Sequence, residues 1–69
     1  MPMITIELNG EPYALEAGTP VARLLTMLKL KPNRVAVEIN QAVVAKAEYE
    51  RTIINQGDHV EVINFVGGG

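Results

Sequence analysis

The stretch Met3-Ile4-Thr5-Ile6-Glu7-Leu8-Asn9-Gly10-Glu11-Pro12-Tyr13-Ala14-Leu15 decides the architecture. Its first residues alternate, with Ile4, Ile6 and Leu8 on one face and Thr5 and Glu7 on the other, which is the period of a half-buried strand. Asn9-Gly10 is the strongest short hairpin signal, because a type I′ turn needs positive φ at both central residues. A two-residue loop there sets Ile6 opposite Tyr13 and Ile4 opposite Leu15, so the turn and the apolar pattern agree on register. Pro12 has no N–H to give to a ladder, which assigns the second strand to a sheet edge.

Beyond the hairpin, Gly18 breaks the strand and Thr19-Pro20 reads as a helix start, with Thr19 as N-cap and Pro20 at the first helical position. Val21, Leu24, Leu25 and Leu28 then recur at i, i+3, i+4 and i+7, one apolar stripe of an amphipathic helix, with Arg23 and Thr26 facing out. Lys29 and Lys31 stand near the helix end, where positive charge complements the macrodipole, and Pro32 is read as the stop. That cationic group, with Arg34, is read as structural; a phosphate site is the alternative. Val35–Asn40 alternates again, with Val35, Val37 and Ile39 inward, and Asn40-Gln41 turns the chain into a short strand around residues 42–44. Lys46–Arg51 is polar and suits a single helical turn anchored by Tyr49. Ile53-Ile54 is a further apolar piece, Asn55-Gln56-Gly57-Asp58 is a turn, and His59–Val66 runs as the last strand. The order β-β-α-β-β-β with one helix across one face of a mixed sheet predicts an α+β fold of the β-grasp type, with about five strands. The last strand, with little polar alternation, is placed at the sheet centre beside the first. Residues 1–65 form the expected domain and residues 66–69 a flexible glycine tail.

Composition removes most chemistry. The 69 residues include no cysteine, no serine and one histidine, His59. Disulfides, thiolate or serine nucleophiles and cysteine zinc sites are thereby excluded. Net charge is −2 with scattered Lys and Arg, so no basic stripe marks a nucleic-acid surface. No apolar run approaches the ~20 residues of a membrane span, and no signal peptide is read at the N-terminus; a soluble, cytoplasmic protein is the expectation. His59 is read as an exposed residue at a strand start, and Glu48 and Glu50 as solvated surface.

What remains is Val66-Gly67-Gly68-Gly69. Three glycines carry no side chains to pack or react. Their one reactive group is the α-carboxylate of Gly69, ionised at neutral pH. One reading is that this carboxylate is the functional group and the domain presents it; the other is an incidental frayed end. A partner face is also readable. If Val60 and Val62 point to the helix, then His59, Glu61, Ile63 and Phe65 lie on the open face of the sheet, with Glu7 and Glu38 beside them by the same parity. An apolar spot of Ile63 and Phe65 inside an acidic surround of Glu7, Glu38 and Glu61 is an expected docking site. The alternative is a bulge after Val62 that buries Phe65.

The Asn9-Gly10-Glu11 hairpin, Gly18-Thr19-Pro20-Val21, Leu24-Leu25, Val35-Ala36-Val37-Glu38-Ile39-Asn40, Gly57-Asp58 and the ending Phe65-Val66-Gly67-Gly68-Gly69 extend over essentially the whole chain. Together they resemble the ThiS family of thiamine-biosynthetic sulfur carriers, a ubiquitin-like β-grasp family. The resemblance implies that Gly69 is the adenylation and thiocarboxylate site, with Gly67 and Gly68 giving it access. It implies an adenylating enzyme of ThiF type that uses ATP and Mg²⁺, a sulfur donor protein, and a thiazole synthase of ThiG type. The chain would then be a protein co-substrate with no bound cofactor and no catalytic residues of its own. The small subunit of molybdopterin synthase shares this ending, so a molybdopterin-type carrier stays open. So does a ubiquitin-like modifier that forms isopeptide bonds, and so does a plain interaction module.

Overall fold

The computed structural model describes residues 2–65. Five strands and one helix follow in the order β1 (Met3–Leu8), β2 (Glu11–Glu16), α1 (Val21–Met27), β3 (Val35–Ile39), β4 (Ala42–Val44) and β5 (His59–Asn64). Single 3₁₀ turns lie at Pro32–Arg34 and Lys46–Glu48. The strands form one mixed sheet in the order β2-β1-β5-β3-β4. β5 is central, parallel to β1 and antiparallel to β3. This is the β-grasp arrangement that the sequence predicts.

The hairpin forms in the predicted register, with Ile6 opposite Tyr13 and Ile4 opposite Leu15. Asn9 and Gly10 hold φ of 50° and 85°, the left-handed values of a type I′ turn. Asn40-Gln41 repeats the device with φ of 52° and 72°, although neither residue is glycine. β2 is indeed an edge, so the missing N–H of Pro12 costs no interior ladder bond.

The core lies between the sheet and the helix. Val21, Leu24 and Leu25 from α1 pack against Ile6, Leu15, Val35, Val37, Val60 and Val62 from the strands. Tyr49 and Ile54 close it from the segment between β4 and β5. Each fully buried aliphatic side chain contributes about 1.5–3 kcal/mol of transfer free energy. Among the described residues no helix is long and apolar enough to cross a membrane.

Both ends of α1 differ from the expectation. Pro20, extended at φ −79° and ψ 162°, is the N-cap, one residue later than predicted. The Thr19 hydroxyl does not accept from the helix; it donates to the Glu16 carbonyl at 2.6 Å. The first helical N–H groups are satisfied from far along the chain, with Val21 N–H donating to the Thr52 carbonyl and Ala22 N–H to that of Tyr49. At the other end Pro32 is not the stop. Lys29 takes a left-handed φ of 61°. Its N–H donates to the Thr26 carbonyl and that of Leu30 to the Leu25 carbonyl. That pair of bonds is a Schellman cap with lysine where glycine is usual. β5 is a strand only to Asn64; Val66 and the tail assigned to residues 66–69 lie outside the described residues.

Candidate functional site

β5 alternates as its sequence dictates. Val60 and Val62 are buried beneath the helix, while His59, Glu61 and Ile63 emerge on the open face. Ile63 is 51% exposed and Phe65 52% exposed. No bulge intervenes after Val62, because the ladder to β3 continues with Ala36 opposite Ile63 and Val35 opposite Asn64. Phe65 N–H then donates to the Arg34 carbonyl at 2.8 Å. The backbone leading toward the glycines is therefore tied to the start of β3 up to its last described residue.

Register sorts the open face into rows. One row sets Val43, Glu38 and Glu61 side by side across β4, β3 and β5. The next sets Ala36 beside Ile63, and Arg34 meets Phe65 beyond it. In the opposite direction Glu7 stands beside His59. Of the predicted docking residues, Glu38, Glu61 and Ile63 thus share the open face in adjoining rows, and the half-exposed Phe65 follows the last paired residue, Asn64. Glu7 shares the face but lies two rows from Ile63, about 13 Å at two residues per row. Its carboxylate is 3.7 Å from His59 Nε2.

Two features escaped the sequence reading. Val43 is 75% exposed and adds an apolar side chain to the open face on β4, beside Glu38. The two-residue turn Asn40-Gln41 already implies this, since it sets Glu38 opposite Val43. Glu38 and Glu61 stand directly opposite one another, a like-charge pairing that destabilises a sheet.

The turn asparagines also grip β5 with their side chains. Asn9 Oδ1 accepts from Val62 N–H at 2.9 Å, and its Nδ2 donates to the Val62 carbonyl at 3.3 Å. Asn40 Oδ1 accepts from His59 N–H at 2.9 Å and its Nδ2 donates to Asp58 Oδ1 at 3.1 Å. Asp58 in turn accepts from Asn55 N–H. The central strand is thus held near its start by the turn after β3 and near its end by the turn after β1.

Glu48 pairs with Arg51 at 3.0 Å on an exposed turn. Lys29, Lys31 and Arg34 are solvent-exposed. Among the described residues no group of three or more His, Asp or Glu side chains is gathered so as to hold a metal ion. The glycines assigned as site and access, Gly67, Gly68 and Gly69, lie outside the described residues.

Comparison with known proteins agrees with this architecture. The ThiS family model matches residues 6–69. The crystal structure of a thiamine biosynthesis protein (ThiS) from Geobacter metallireducens superposes with a TM-score of 0.81 at 32% identity, covering 96% of this chain and 100% of that one. The sulfur carrier protein ThiS of Bacillus subtilis is 32% identical over 66 residues, covering 93% of this chain and 98% of that protein. A thiazole synthase of Magnetococcus marinus is 47% identical over 64 residues, covering 93% of this chain but 20% of that longer protein. The chain belongs to the ThiS family.

Proposed function

We propose that the chain is a sulfur carrier for thiazole formation in thiamine biosynthesis, and that the α-carboxyl group of Gly69 carries the sulfur. The observation that carries this reading is the family match, which runs through the glycines to residue 69. The residue inventory supports it, since a chain without cysteine has no thiol on which to hold the carried sulfur. A thiazole synthase that contains a segment 47% identical to this chain supports thiazole synthase as the acceptor.

The chemistry follows from the carboxylate. Its oxygens are poor leaving groups, so it must be activated before sulfur can replace one of them. In the proposed cycle a Gly69 carboxylate oxygen attacks the α-phosphorus of ATP on a ThiF-type enzyme, with Mg²⁺ neutralising the phosphates, and pyrophosphate leaves. A sulfur nucleophile from a donor protein then attacks the acyl carbon and expels AMP. If that nucleophile is a persulfide, the product is an acyl disulfide. Attack of a thiol on the donor-side sulfur breaks the S–S bond, leaving the thiocarboxylate on Gly69 and a disulfide on the donor. The thiocarboxylate sulfur then passes to the thiazole synthase. The chain is a co-substrate in each step. Its own contributions are the side-chain-free approach of Gly67 and Gly68 and the docking patch of Glu38, Glu61, Ile63 and Phe65, with Glu7 at its margin. Val43 joins this patch.

The test is intact-mass analysis after incubation with ATP, Mg²⁺, an adenylating enzyme and a sulfide source. The expected product shows oxygen-to-sulfur exchange at the C-terminus. Gly69→Val, or an alanine added after Gly69, should abolish it while the domain stays folded. Unchanged adenylation of either variant would refute the role of Gly69. Isopeptide adducts on other proteins would point to a modifier, and transfer of sulfur to a molybdopterin precursor but not to thiazole synthase would reassign the pathway.

A further inference from the structure

The parallel ladder between β1 and β5 is short. It pairs Glu7 with His59 and Leu8 with Val60, and its last backbone bond runs from Asn9 N–H to the Val60 carbonyl. There β1 turns away into the hairpin. The next residue of β5 that faces this flank is Val62, and the groups that meet it belong to the side chain of Asn9. The amide oxygen accepts from Val62 N–H at 2.9 Å and the amide nitrogen donates to the Val62 carbonyl at 3.3 Å, in a half-buried setting. A primary amide presents one acceptor and one donor side by side, as a backbone residue does, so Asn9 extends β1 by one position after the chain itself has left. Beyond Val62 come Ile63 and Phe65, the exposed residues that precede the glycines.

We propose that Asn9 is a positioning residue for the carrier tail: its side-chain amide locks Val62 and thereby fixes the course of Ile63–Phe65 for the partner enzyme. Asparagine meets two demands at once. It tolerates the φ of 50° that the turn requires, and it offers the paired donor and acceptor. Glycine meets only the first. Aspartate also tolerates the turn, but as a carboxylate it faces the Val62 carbonyl with two acceptors. When protonated it regains a donor and reproduces the amide.

This inference rests on the carrier reading for its functional half only. The experiment compares the parent with Asn9→Gly and Asn9→Asp by amide hydrogen exchange, then by the kinetics of adenylation on the partner enzyme. Asn9→Gly should accelerate exchange at Val62 by about tenfold, the equivalent of the bond lost, with exchange at Val37 changed far less. At neutral pH Asn9→Asp should keep part of the protection at Val62, because its carboxylate still accepts from Val62 N–H while its second oxygen opposes the Val62 carbonyl, and it should approach the parent as its carboxyl group protonates in acid. In adenylation, Asn9→Gly should raise KM severalfold at neutral pH with kcat retained, and Asn9→Asp by less. Unchanged Val62 exchange in Asn9→Gly overturns the lock, whether or not the chain is adenylated. Faster exchange with an unchanged KM overturns the positioning role and leaves a purely structural contact. Failure of the parent chain to be adenylated counts against the carrier reading, and the positioning role falls with it, while Val62 exchange still decides the lock.

Discussion

Glu61→Gln should make the domain more stable, although it removes a charge from an exposed position. Glu61 and Glu38 are cross-strand partners at the centre of the sheet, and directly opposite residues have Cβ atoms about 4.5–5.5 Å apart. Two carboxylates about 6 Å apart repel by about 0.7 kcal/mol in water. At physiological ionic strength, where the Debye length is about 8 Å, roughly half of that survives. Partial burial of Glu38 works in the other direction by lowering the local dielectric. A gain of about 0.3 kcal/mol is therefore expected at physiological salt and about 0.6 kcal/mol at low salt, where the Debye length is about 30 Å. For a domain of this size that is a rise in Tm of a few degrees, at about 4–8 °C per kcal/mol.

The assay is thermal unfolding of the parent, Glu61→Gln and Glu61→Lys at about 0.01 M and 1 M salt, with Glu11→Gln on the edge strand as control. Glu61→Lys should gain more than Glu61→Gln, since it turns repulsion into attraction. Both gains should shrink toward zero at 1 M salt, where the Debye length is about 3 Å. A Glu61→Gln variant no more stable than the parent at low salt, or one whose gain persists at high salt, would refute the electrostatic account. The docking reading adds a second measurement of opposite sign. If the patch meets a cationic partner surface, the variant that folds better should associate more weakly with the adenylating enzyme.

Lys29→Gly should stabilise the chain by about 0.5 kcal/mol: relief of a left-handed lysine, roughly 1–2 kcal/mol, outweighs the extra unfolded-state freedom of glycine, about 0.4–1 kcal/mol. Denaturant midpoints should rank Gly above Lys and Ala at this position, and a Gly variant below the Ala variant would contradict the Schellman assignment. Phe65→Asp should change stability by less than about 0.5 kcal/mol, as an exposed substitution does, yet weaken partner binding at least tenfold if Phe65 is an interface anchor. A globally unfolded Phe65→Asp variant, seen by circular dichroism, would show that the ring is needed for the fold instead.

What could be read from the sequence was what two local signals specified together. The first hairpin was legible because the Asn9-Gly10 turn and the Ile4/Ile6/Leu8 alternation independently demand one register. The face assignments of β5 followed from parity, and exposure of Ile63 and Phe65 depended only on the absence of a bulge. The errors arise where the ends of the helix are satisfied by groups other than those that local propensity favours. Thr19 looked like a cap, but the N–H groups of Val21 and Ala22 are taken by the Thr52 and Tyr49 carbonyls, so its hydroxyl turns back to Glu16. Pro32 looked like a stop, but a left-handed lysine ends the helix first, an arrangement that propensity disfavours. Parity set Glu7, Glu38 and Glu61 on one face, but their spacing depends on how β1, β5 and β3 align. That alignment separates Glu7 from the apolar patch and brings Glu38 against Glu61. The side-chain grip of Asn9 on Val62 spans 53 residues, and no local pattern encodes it.

In the proposed carrier cycle, the position of β5 in the sheet would let so plain a tail be delivered accurately. A terminal carboxyl group on a disordered leader would be presented to an enzyme from every direction. Here the strand before it is the central one, bonded to β3 along one flank and to β1 and Asn9 along the other. The patch of Val43, Glu38, Glu61 and Ile63 is built partly on that same strand. Docking through the patch would therefore also set the point and direction from which residue 66 departs. Four extended residues reach at most roughly 13–14 Å, which in the proposed cycle would limit the search of the Gly69 carboxyl group to a small volume. The two parts of the proposed site should then separate kinetically. Changes on the patch alter how often the enzyme holds the carrier, and so raise KM. Changes in the glycines alter what happens once it is held, and so lower kcat. A patch variant that lowered kcat at saturating carrier would mean that the face takes part in ordering the tail for reaction as well as in docking.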